Sequence, residues 1–248
     1  MFSVTERDRN IWKGLGISVV AGIVVAALIW GVRETPNTVV CKSIRYTIED
    51  IDERQYVTEG ELNRLLEKEG QYPVDKAIRN ISLQGIERAI RAHDLVRTTE
   101  WYLTPRKEVR VRLTQRVPLL RVMTASDTYL IDEDRQVMPA MAVVKDSVLV
   151  VRGAVGVQIA SGALGDFAEW LQTNKYWRER VRYVYVQSPQ MVYLYLRGGL
   201  PRVVLGNMQG YERKLAKLRT FLDEGTEAMA GKKYTELDVR FRGQVVGR

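Results

Sequence analysis

An uninterrupted apolar stretch near the N-terminus is the strongest feature of the hydrophobic pattern. Residues 14–32 contain no charged side chain. A helix of this length rises about 1.5 Å per residue and spans about 28 Å, close to the roughly 30 Å hydrocarbon core of a bilayer. Trp12 and Trp30 lie at its two ends, where aromatic rings favour the membrane interface, so the stretch predicts one transmembrane helix. Small residues repeat every four positions within it and would let another membrane helix pack closely: Ser18, Gly22 and Ala26.

Positive charges before the apolar stretch predict its orientation. Arg7, Arg9 and Lys13 precede it, and the positive-inside rule then keeps residues 1–13 in the cytoplasm and the rest of the chain outside. A cleaved signal peptide is the alternative. The stretch is longer than the apolar region of a signal peptide, however, and no small-residue cleavage motif follows it. We therefore expect an uncleaved anchor.

After a polar link, the pattern predicts a unit of mixed secondary structure. The β-branched residues of 39–48 favour a first strand. Thr58 and Glu61 have the spacing of a capping box, which predicts a helix over 58–69. Ser82 is suited to cap a second helix, because the apolar residues that follow it share one helical face.

The hydrophobic period then changes from about 3.6 residues to 2. Strands over 95–103 and 109–113 flank the segment 104–108, whose length and composition suit the turn of an antiparallel hairpin. The predicted order between residues 38 and 115 is therefore strand, helix, helix, strand, strand.

The rest of the chain has the pattern of a mostly antiparallel β domain with few helices. An acidic cluster at 132–135 is interpreted as a hairpin tip, because it lacks the Gly and the distal Glu of a calcium-binding EF-hand loop. Three successive strands are predicted to form a meander: 181–187, 191–197 and 202–205. Four residues mark one face of a helix that should pack on this sheet: Tyr211, Leu215, Leu218 and Leu222. The pattern predicts a last strand over 234–246.

Composition and charge narrow the chemistry. The chain is 46% hydrophobic and carries a formal net charge of +8, but its Arg and Lys residues are scattered through strands without a nucleic-acid-binding motif. Cys41 is the only cysteine, so an intrachain disulfide cannot form. We interpret it as a buried strand thiol. His93 is the only histidine, so a Cys/His zinc site cannot be assembled, and no hydrolase or nucleotide-binding motif occurs. We therefore predict no catalytic residue, no metal and no cofactor, and no nucleic acid or small-molecule substrate.

Several short motifs carry a family resemblance. The element order behind a signal anchor resembles a POTRA domain, and 115–118 is similar to the junction that leaves such a domain in the bacterial cell-division family FtsQ/DivIB. The motifs at 129–134, 149–153, 204–206 and 237–241 are similar, in this order, to the β domain of that family. The resemblance covers nearly the whole chain. One departure is the loop after Asp134, which lacks the family's frequent Gly.

The resemblance implies an α+β fold class and a division into four parts. These are a cytoplasmic tail at 1–13, a transmembrane helix at 14–32, a POTRA domain at 38–115 and an FtsQ-type β domain at 118–248. It further implies a single-pass protein of the inner membrane at the division septum, with its N-terminus in the cytoplasm and its bulk in the periplasm.

The resemblance also implies a function. Members of the family are non-enzymatic scaffolds of the divisome that link early and late division proteins and help control septal wall synthesis. The implied partners are FtsB and FtsL, with FtsW and the septal transpeptidase as further candidates. The alternative function is a membrane-anchored cell-wall enzyme or peptidoglycan-binding module, which would be active or retained on purified peptidoglycan without a partner.

The C-terminal segment is the predicted partner-binding region. No later strand is available to cover it, so its unpaired N–H and C=O groups could take a strand of the partner. The resemblance assigns this role to ten residues: Leu237, Asp238, Val239, Arg240, Phe241, Arg242, Gly243, Gln244, Val245 and Val246. An interior strand with a purely structural role is the alternative. The prediction is that Phe241→Ala or a charge reversal at Arg240 weakens binding while the domain still folds.

Overall fold

Regular alternation of apolar and polar residues organises the N-terminal sheet. The computed structural model describes residues 39–49, 56–140, 148–224 and 234–248. Three strands form this sheet in the order β1-β3-β2: β1 (Ser43–Ile48), β2 (Val96–Leu103) and β3 (Glu108–Gln115). Strand β3 lies in the middle and is parallel to β1. Its residues Val109, Val111 and Leu113 are buried on one face of the sheet.

Two helices supply the apolar residues that pack with this sheet. Helix α1 (Glu59–Lys68) begins at the predicted capping box and buries Leu62 and Leu66. Helix α2 (Leu83–Arg91) buries Ile86 and Ile90. The backbone N–H of Gly85 donates to the Ser82 hydroxyl, as expected for a helix cap. The predicted order of strand, helix, helix, strand, strand is confirmed.

Within the described residues, the C-terminal unit contains one sheet of nine strands. In chain order they are β4 (Pro118–Met123), β5 (Thr128–Asp132), β6 (Val137–Pro139), β7 (Leu149–Gly153), β8 (Val181–Ser188), β9 (Met191–Leu196), β10 (Arg202–Gly206), β11 (Glu236–Asp238) and β12 (Val246–Gly247). Their order in the sheet is β12-β11-β10-β9-β8-β7-β4-β5-β6. The meander of β8, β9 and β10 is antiparallel, as predicted. Three pairs are parallel: β4 with β7, β7 with β8, and β10 with β11.

Four helices accompany this sheet, namely α3 (Val157–Ser161), α4 (Ala163–Thr173), α5 (Lys175–Arg180) and α6 (Tyr211–Glu224). Phe167 of α4 and Leu215 and Leu218 of α6 are fully buried in one apolar cluster with sheet residues such as Val184 and Leu194. The prediction that the long helix packs on the sheet is confirmed. The α+β fold class is likewise confirmed for the part of the chain that the structure describes.

The predicted membrane segment lies outside the described residues. This concerns the helix at 14–32 with its small residues Ser18, Gly22 and Ala26, and the tail at 1–13. Within the four described ranges, no helix is long and apolar enough to cross a bilayer.

Candidate functional site

The C-terminal segment folds back on itself and does not form one strand. The predicted continuous strand over 234–246 is wrong: β11 and β12 are separated by a turn through Phe241, Arg242 and Gly243. Gly243 has a φ of 76°, a conformation that residues with a Cβ rarely adopt. The turn brings β12 antiparallel to β11, with Leu237 opposite Gly247 and Asp238 opposite Val246.

The edge of the sheet is therefore β12. Glu236 and Arg248 exchange two backbone hydrogen bonds, at 3.1 and 2.9 Å. Hydrogen-bonded and non-hydrogen-bonded pairs alternate along an antiparallel ladder, so Val246 also faces β11. The N–H and C=O groups of Val245 and Gly247 then point away from the sheet, and no described residue bonds to them. A partner strand could add at this border.

A buried ion pair stabilises the end of β11. The Asp238 side chain is fully buried, and Arg240 donates to it from Nε at 3.0 Å and from Nη2 at 2.6 Å. These hydrogen bonds lower the pKa of the Asp238 carboxyl below its usual range. The aliphatic part of Arg240 lies against Gly206, where an added Cβ would come within 2.9 Å of Arg240 Cδ. Arg240 is therefore part of the fold, and its charge reversal cannot test binding alone.

Two lysines of α6 attach the helix to this region. Lys214 Nζ donates to the carbonyl oxygens of Leu205 at 3.1 Å and Asn207 at 2.8 Å. Lys217 Nζ donates to the carbonyl oxygens of Val239, at 3.0 Å, and of Phe241. Burial lowers the pKa of both ammonium groups, because it disfavours their charged form. Lys217 thereby fixes the backbone at Phe241, while the Phe241 ring remains exposed to solvent.

Phe241 stands beside a basic groove. Its side chain is 42% exposed, although it is a large apolar residue. The groove has a volume of about 680 Å³. Five cationic residues line it: Arg213, Lys214, Lys217, Arg240 and Arg242. None of its described lining residues is acidic. An exposed aromatic ring next to a cationic groove is suited to a partner segment that carries an apolar residue and carboxylates.

The ten predicted partner-binding residues fall into two groups. Leu237, Asp238 and Val239 are fully buried, so they can only support a surface and not contact a partner through their side chains. The remaining residues are exposed or half-buried: Arg240, Phe241, Arg242, Gly243, Gln244, Val245 and Val246.

Sequence reasoning missed the contribution of α6 and of the last two residues, Gly247 and Arg248. Lys214 and Lys217 are three positions apart on a helix, which places them on one face. That spacing could have indicated a basic face, but it could not have shown which strand the face meets.

The remaining candidate chemistry is sparse. Cys41 is buried, as predicted, and its thiol donates to the Ser43 carbonyl oxygen at 3.4 Å. The Nδ1 atom of His93 accepts a hydrogen bond from the Leu95 N–H at 3.2 Å. Across the described ranges, no three Asp, Glu, His or Cys side chains are grouped so that they could hold a metal ion.

Two family models match the chain. The model described as FtsQ/DivIB, C-terminal related matches residues 117–248. The model described as a POTRA-like domain matches residues 39–114. Among proteins with curated descriptions, no match to the chain was found.

Proposed function

Because the chain belongs to the FtsQ/DivIB C-terminal related family, we propose that it is a non-enzymatic scaffold of the divisome that binds FtsB, with FtsL attached to it. The family is one of cell-division scaffolds with division-protein partners, and it is associated with the division septum. In this proposal the binding surface is the C-terminal segment from residue 237 onward, including the β12 edge, Phe241 and the basic groove.

The free backbone groups of β12 carry the proposal. A strand of FtsB would add next to β12 and bond to the outward N–H and C=O groups of Val245 and Gly247. Each such bond contributes about 1 kcal/mol net, so the ladder alone gives weak binding. Additional affinity would come from burying the exposed ring of Phe241, because aromatic anchors dominate the energetics of most interfaces.

The charge of the groove selects the partner segment. Arg240 is paired with Asp238, but the other four cations of the lining have no acidic neighbour within it, so the groove repels a basic peptide and attracts an acidic one. We therefore expect the part of FtsB that lies along α6 to carry carboxylates. Arg213 and Arg242 are the exposed cations best placed to pair with them, because Lys214 and Lys217 already bond to backbone carbonyl oxygens.

The topology is also part of the proposal. Residues 14–32 would anchor the chain once in the inner membrane, with 1–13 in the cytoplasm and both folded domains, 38–115 and 118–248, in the periplasm. FtsW and the septal transpeptidase would then be within reach of the scaffold at the septum, and binding would help to control septal wall synthesis.

Four variants of the full-length chain test the surface. Phe241→Ala should weaken binding to the FtsB–FtsL complex by about thirtyfold, which corresponds to about 2 kcal/mol for an aromatic anchor. Arg242→Glu should also weaken this binding, and its effect should be larger at low salt than at high salt, because salt screens exposed charges. The matched controls lie in the N-terminal unit: Tyr102→Ala removes another exposed aromatic ring, and Arg106→Glu reverses another exposed charge.

A substitution at the edge separates backbone from side-chain effects. Val245→Pro removes an outward N–H, whereas Val245→Ala keeps it and removes only side-chain contacts. The proposal requires Val245→Pro to weaken binding more than Val245→Ala does. Unchanged binding by both Phe241→Ala and Val245→Pro would contradict it. Retention of the full-length chain on purified peptidoglycan, without FtsB or FtsL, would instead support the alternative of a wall-binding module.

A further inference from the structure

The outward face of the nine-stranded sheet carries four tyrosines. Tyr183 and Tyr185 of β8 lie opposite Tyr195 and Tyr193 of β9. Side chains alternate between the two faces of a strand, and the intervening Val184 and Leu194 point into the core. The four tyrosine rings therefore lie together on the other face, where each is exposed or half-buried.

Three of these rings, those of Tyr183, Tyr193 and Tyr195, have a neighbour against at least one face. Tyr183 and Tyr195 stack on each other with centroids 4.4 Å apart and planes 11° apart. The guanidinium of Arg152 lies 5.1 Å from the centroid of Tyr183, and that of Arg202 lies 5.2 Å from the centroid of Tyr193. The contact with the Tyr183 ring holds the Arg152 guanidinium in place.

Four arginines cluster where β7 and β8 begin and β9 ends, beside helices α4 and α5. Arg152, Arg178, Arg182 and Arg197 are all exposed and line one pocket of about 740 Å³. None of the four forms an ion pair with a carboxylate within the described part of the chain. Arg202, which lies over Tyr193, differs from these four arginines because it pairs with Glu236 at 2.8 Å. We call the pocket lined by these four residues the arginine pocket.

The floor of the arginine pocket is apolar. Its buried lining residues are Leu119, Ala168, Leu171 and Val181, and the half-buried Leu149 and Val150 continue the apolar surface toward the rim. A small inorganic anion would leave this floor uncovered. A peptide with an apolar side chain between carboxylates would cover the floor and neutralise the rim, because both parts of the pocket would then be complemented.

We propose that the arginine pocket binds an acidic segment of a partner protein, with an apolar side chain on the floor and flanking carboxylates on Arg152, Arg182 and Arg197. This surface is separate from the C-terminal one. Strands β7 and β12 are five strand spacings apart in the sheet, which is about 24 Å at about 4.8 Å per spacing. The proposal therefore goes beyond the binding of FtsB at β12 and adds a second contact of the scaffold.

Labelled synthetic peptides provide the probe. A twelve-residue peptide of alternating Glu and Leu should bind the full-length chain more tightly than the same peptide with Gln for Glu, by about twofold to a hundredfold, because two or three exposed ion pairs each add modestly to affinity. A peptide with Ser for Leu should also bind more weakly. Fluorescence anisotropy at low and high salt gives the three affinities, and the Glu–Leu peptide should lose affinity as salt rises.

Charge reversals then assign the binding to this pocket. The double variant Arg182→Glu, Arg197→Glu should reduce the affinity of the Glu–Leu peptide by about tenfold or more. The matched control reverses two exposed arginines of the N-terminal unit, Arg79 and Arg106, and so changes the net charge equally. The C-terminal groove also suits an apolar residue between carboxylates, so the double variant is also compared in a Phe241→Ala, Arg242→Glu background, where the same loss of peptide affinity is expected. An unchanged thermal unfolding midpoint would show that the double variant is folded.

Four results would overturn the proposal. One is equal binding of the Glu–Leu and Gln–Leu peptides, and another is equal loss of affinity in the double variant and its control. The third is binding to phosphatidylglycerol vesicles that falls in the double variant while peptide binding does not, since the pocket would then recognise a lipid surface. The fourth is an unchanged peptide affinity when the double variant is made in the Phe241→Ala, Arg242→Glu background, which would place the peptide elsewhere than in the arginine pocket.

Discussion

Arg240 donates two hydrogen bonds to the buried carboxylate of Asp238, two residues earlier in the chain. The pair joins the last strand that is buried in the core, β11, to the exposed turn that leads to the sheet edge. Arg248 adds a second positive charge, with its Nη2 atom 3.8 Å from Asp238 Oδ2. This carboxylate is thus one of the attachments of the proposed partner surface to the core, together with the β11–β12 ladder and Lys217.

Replacing Arg240 by Met should destabilise the C-terminal unit by about 2 kcal/mol, because a buried charged acceptor loses its main donors. The remaining charge of Arg248 limits the loss. Urea denaturation of Arg240→Met gives the change in unfolding free energy. The double variant Arg240→Met, Asp238→Asn should recover part of the stability. If the single variant is as stable as the natural chain, the ion pair does not support this end of the sheet.

Acid should weaken the same region. The pKa of Asp238 is lowered in the folded state, so its ionised form stabilises the fold fully above the unfolded pKa of about 3.9. That stabilisation is lost as the pH falls through the folded-state pKa. In chemical denaturation between pH 7 and pH 2, Asp238→Asn should flatten the decline in stability below about pH 4. The exposed Asp223, which also has a lowered pKa, provides the comparison: Asp223→Asn should flatten it less.

Two neighbouring glycines should respond differently to the same substitution. Gly153 has a φ of 106°, and an added Cβ would lie 2.2 Å from the Val186 carbonyl oxygen. Gly156 has an ordinary φ of −82° and no atom within 4 Å of an added Cβ. Gly153→Ala should therefore cost more than about 2 kcal/mol, and Gly156→Ala less than about 0.5 kcal/mol. Thermal unfolding of the two variants measures the difference. Equal midpoints would show that an added Cβ at Gly153 does not clash with the Val186 carbonyl oxygen.

Gln115 is expected to be intolerant of an apolar substitution. It is 1% exposed, and its Oε1 atom accepts hydrogen bonds from the backbone N–H groups of Tyr56 and Val57, both at 2.8 Å. Gln115→Leu keeps a similar volume but leaves two buried donors unpaired, which should cost about 2 kcal/mol. Hydrogen exchange should become faster at the amides of Tyr56 and Val57. Unaltered exchange at both amides would show that other acceptors replace Gln115.

The cap of α1 provides a measurable local contribution. Thr58 Oγ1 accepts from the Glu61 N–H at 3.3 Å, and the Glu61 carboxylate accepts from the Thr58 N–H at 3.0 Å. Thr58→Ala should destabilise the N-terminal unit by about 1 kcal/mol, whereas Thr58→Ser should cost much less because it retains the hydroxyl. Denaturation of the two variants under identical conditions distinguishes the cap from general packing at this position.

Local features were predicted well from the sequence. The capping box at Thr58, the cap at Ser82 and the hairpin turn at 104–108 each depend on residues a few positions apart, and all three are confirmed. Contacts between distant residues could not be predicted in this way: Asp166 and Glu169 of α4 both pair with Arg135, 31 and 34 positions earlier in the chain.

The chain by itself thus determined most of its helices and strands, because hydrophobic period, caps and turns act between near neighbours, and the order of its motifs indicated its family. The continuous strand predicted over 234–246 is the exception, since that segment folds back on itself. Only the tertiary structure decided which strands pair in parallel, which strand borders the sheet, and which cations meet there. Arg152, Arg182 and Arg197 come together only because β7 and β8 pair across 27 intervening residues, from Gly153 to Val181. Contacts between residues so far apart in the chain form only when the whole sheet assembles, and no short sequence pattern specifies that assembly.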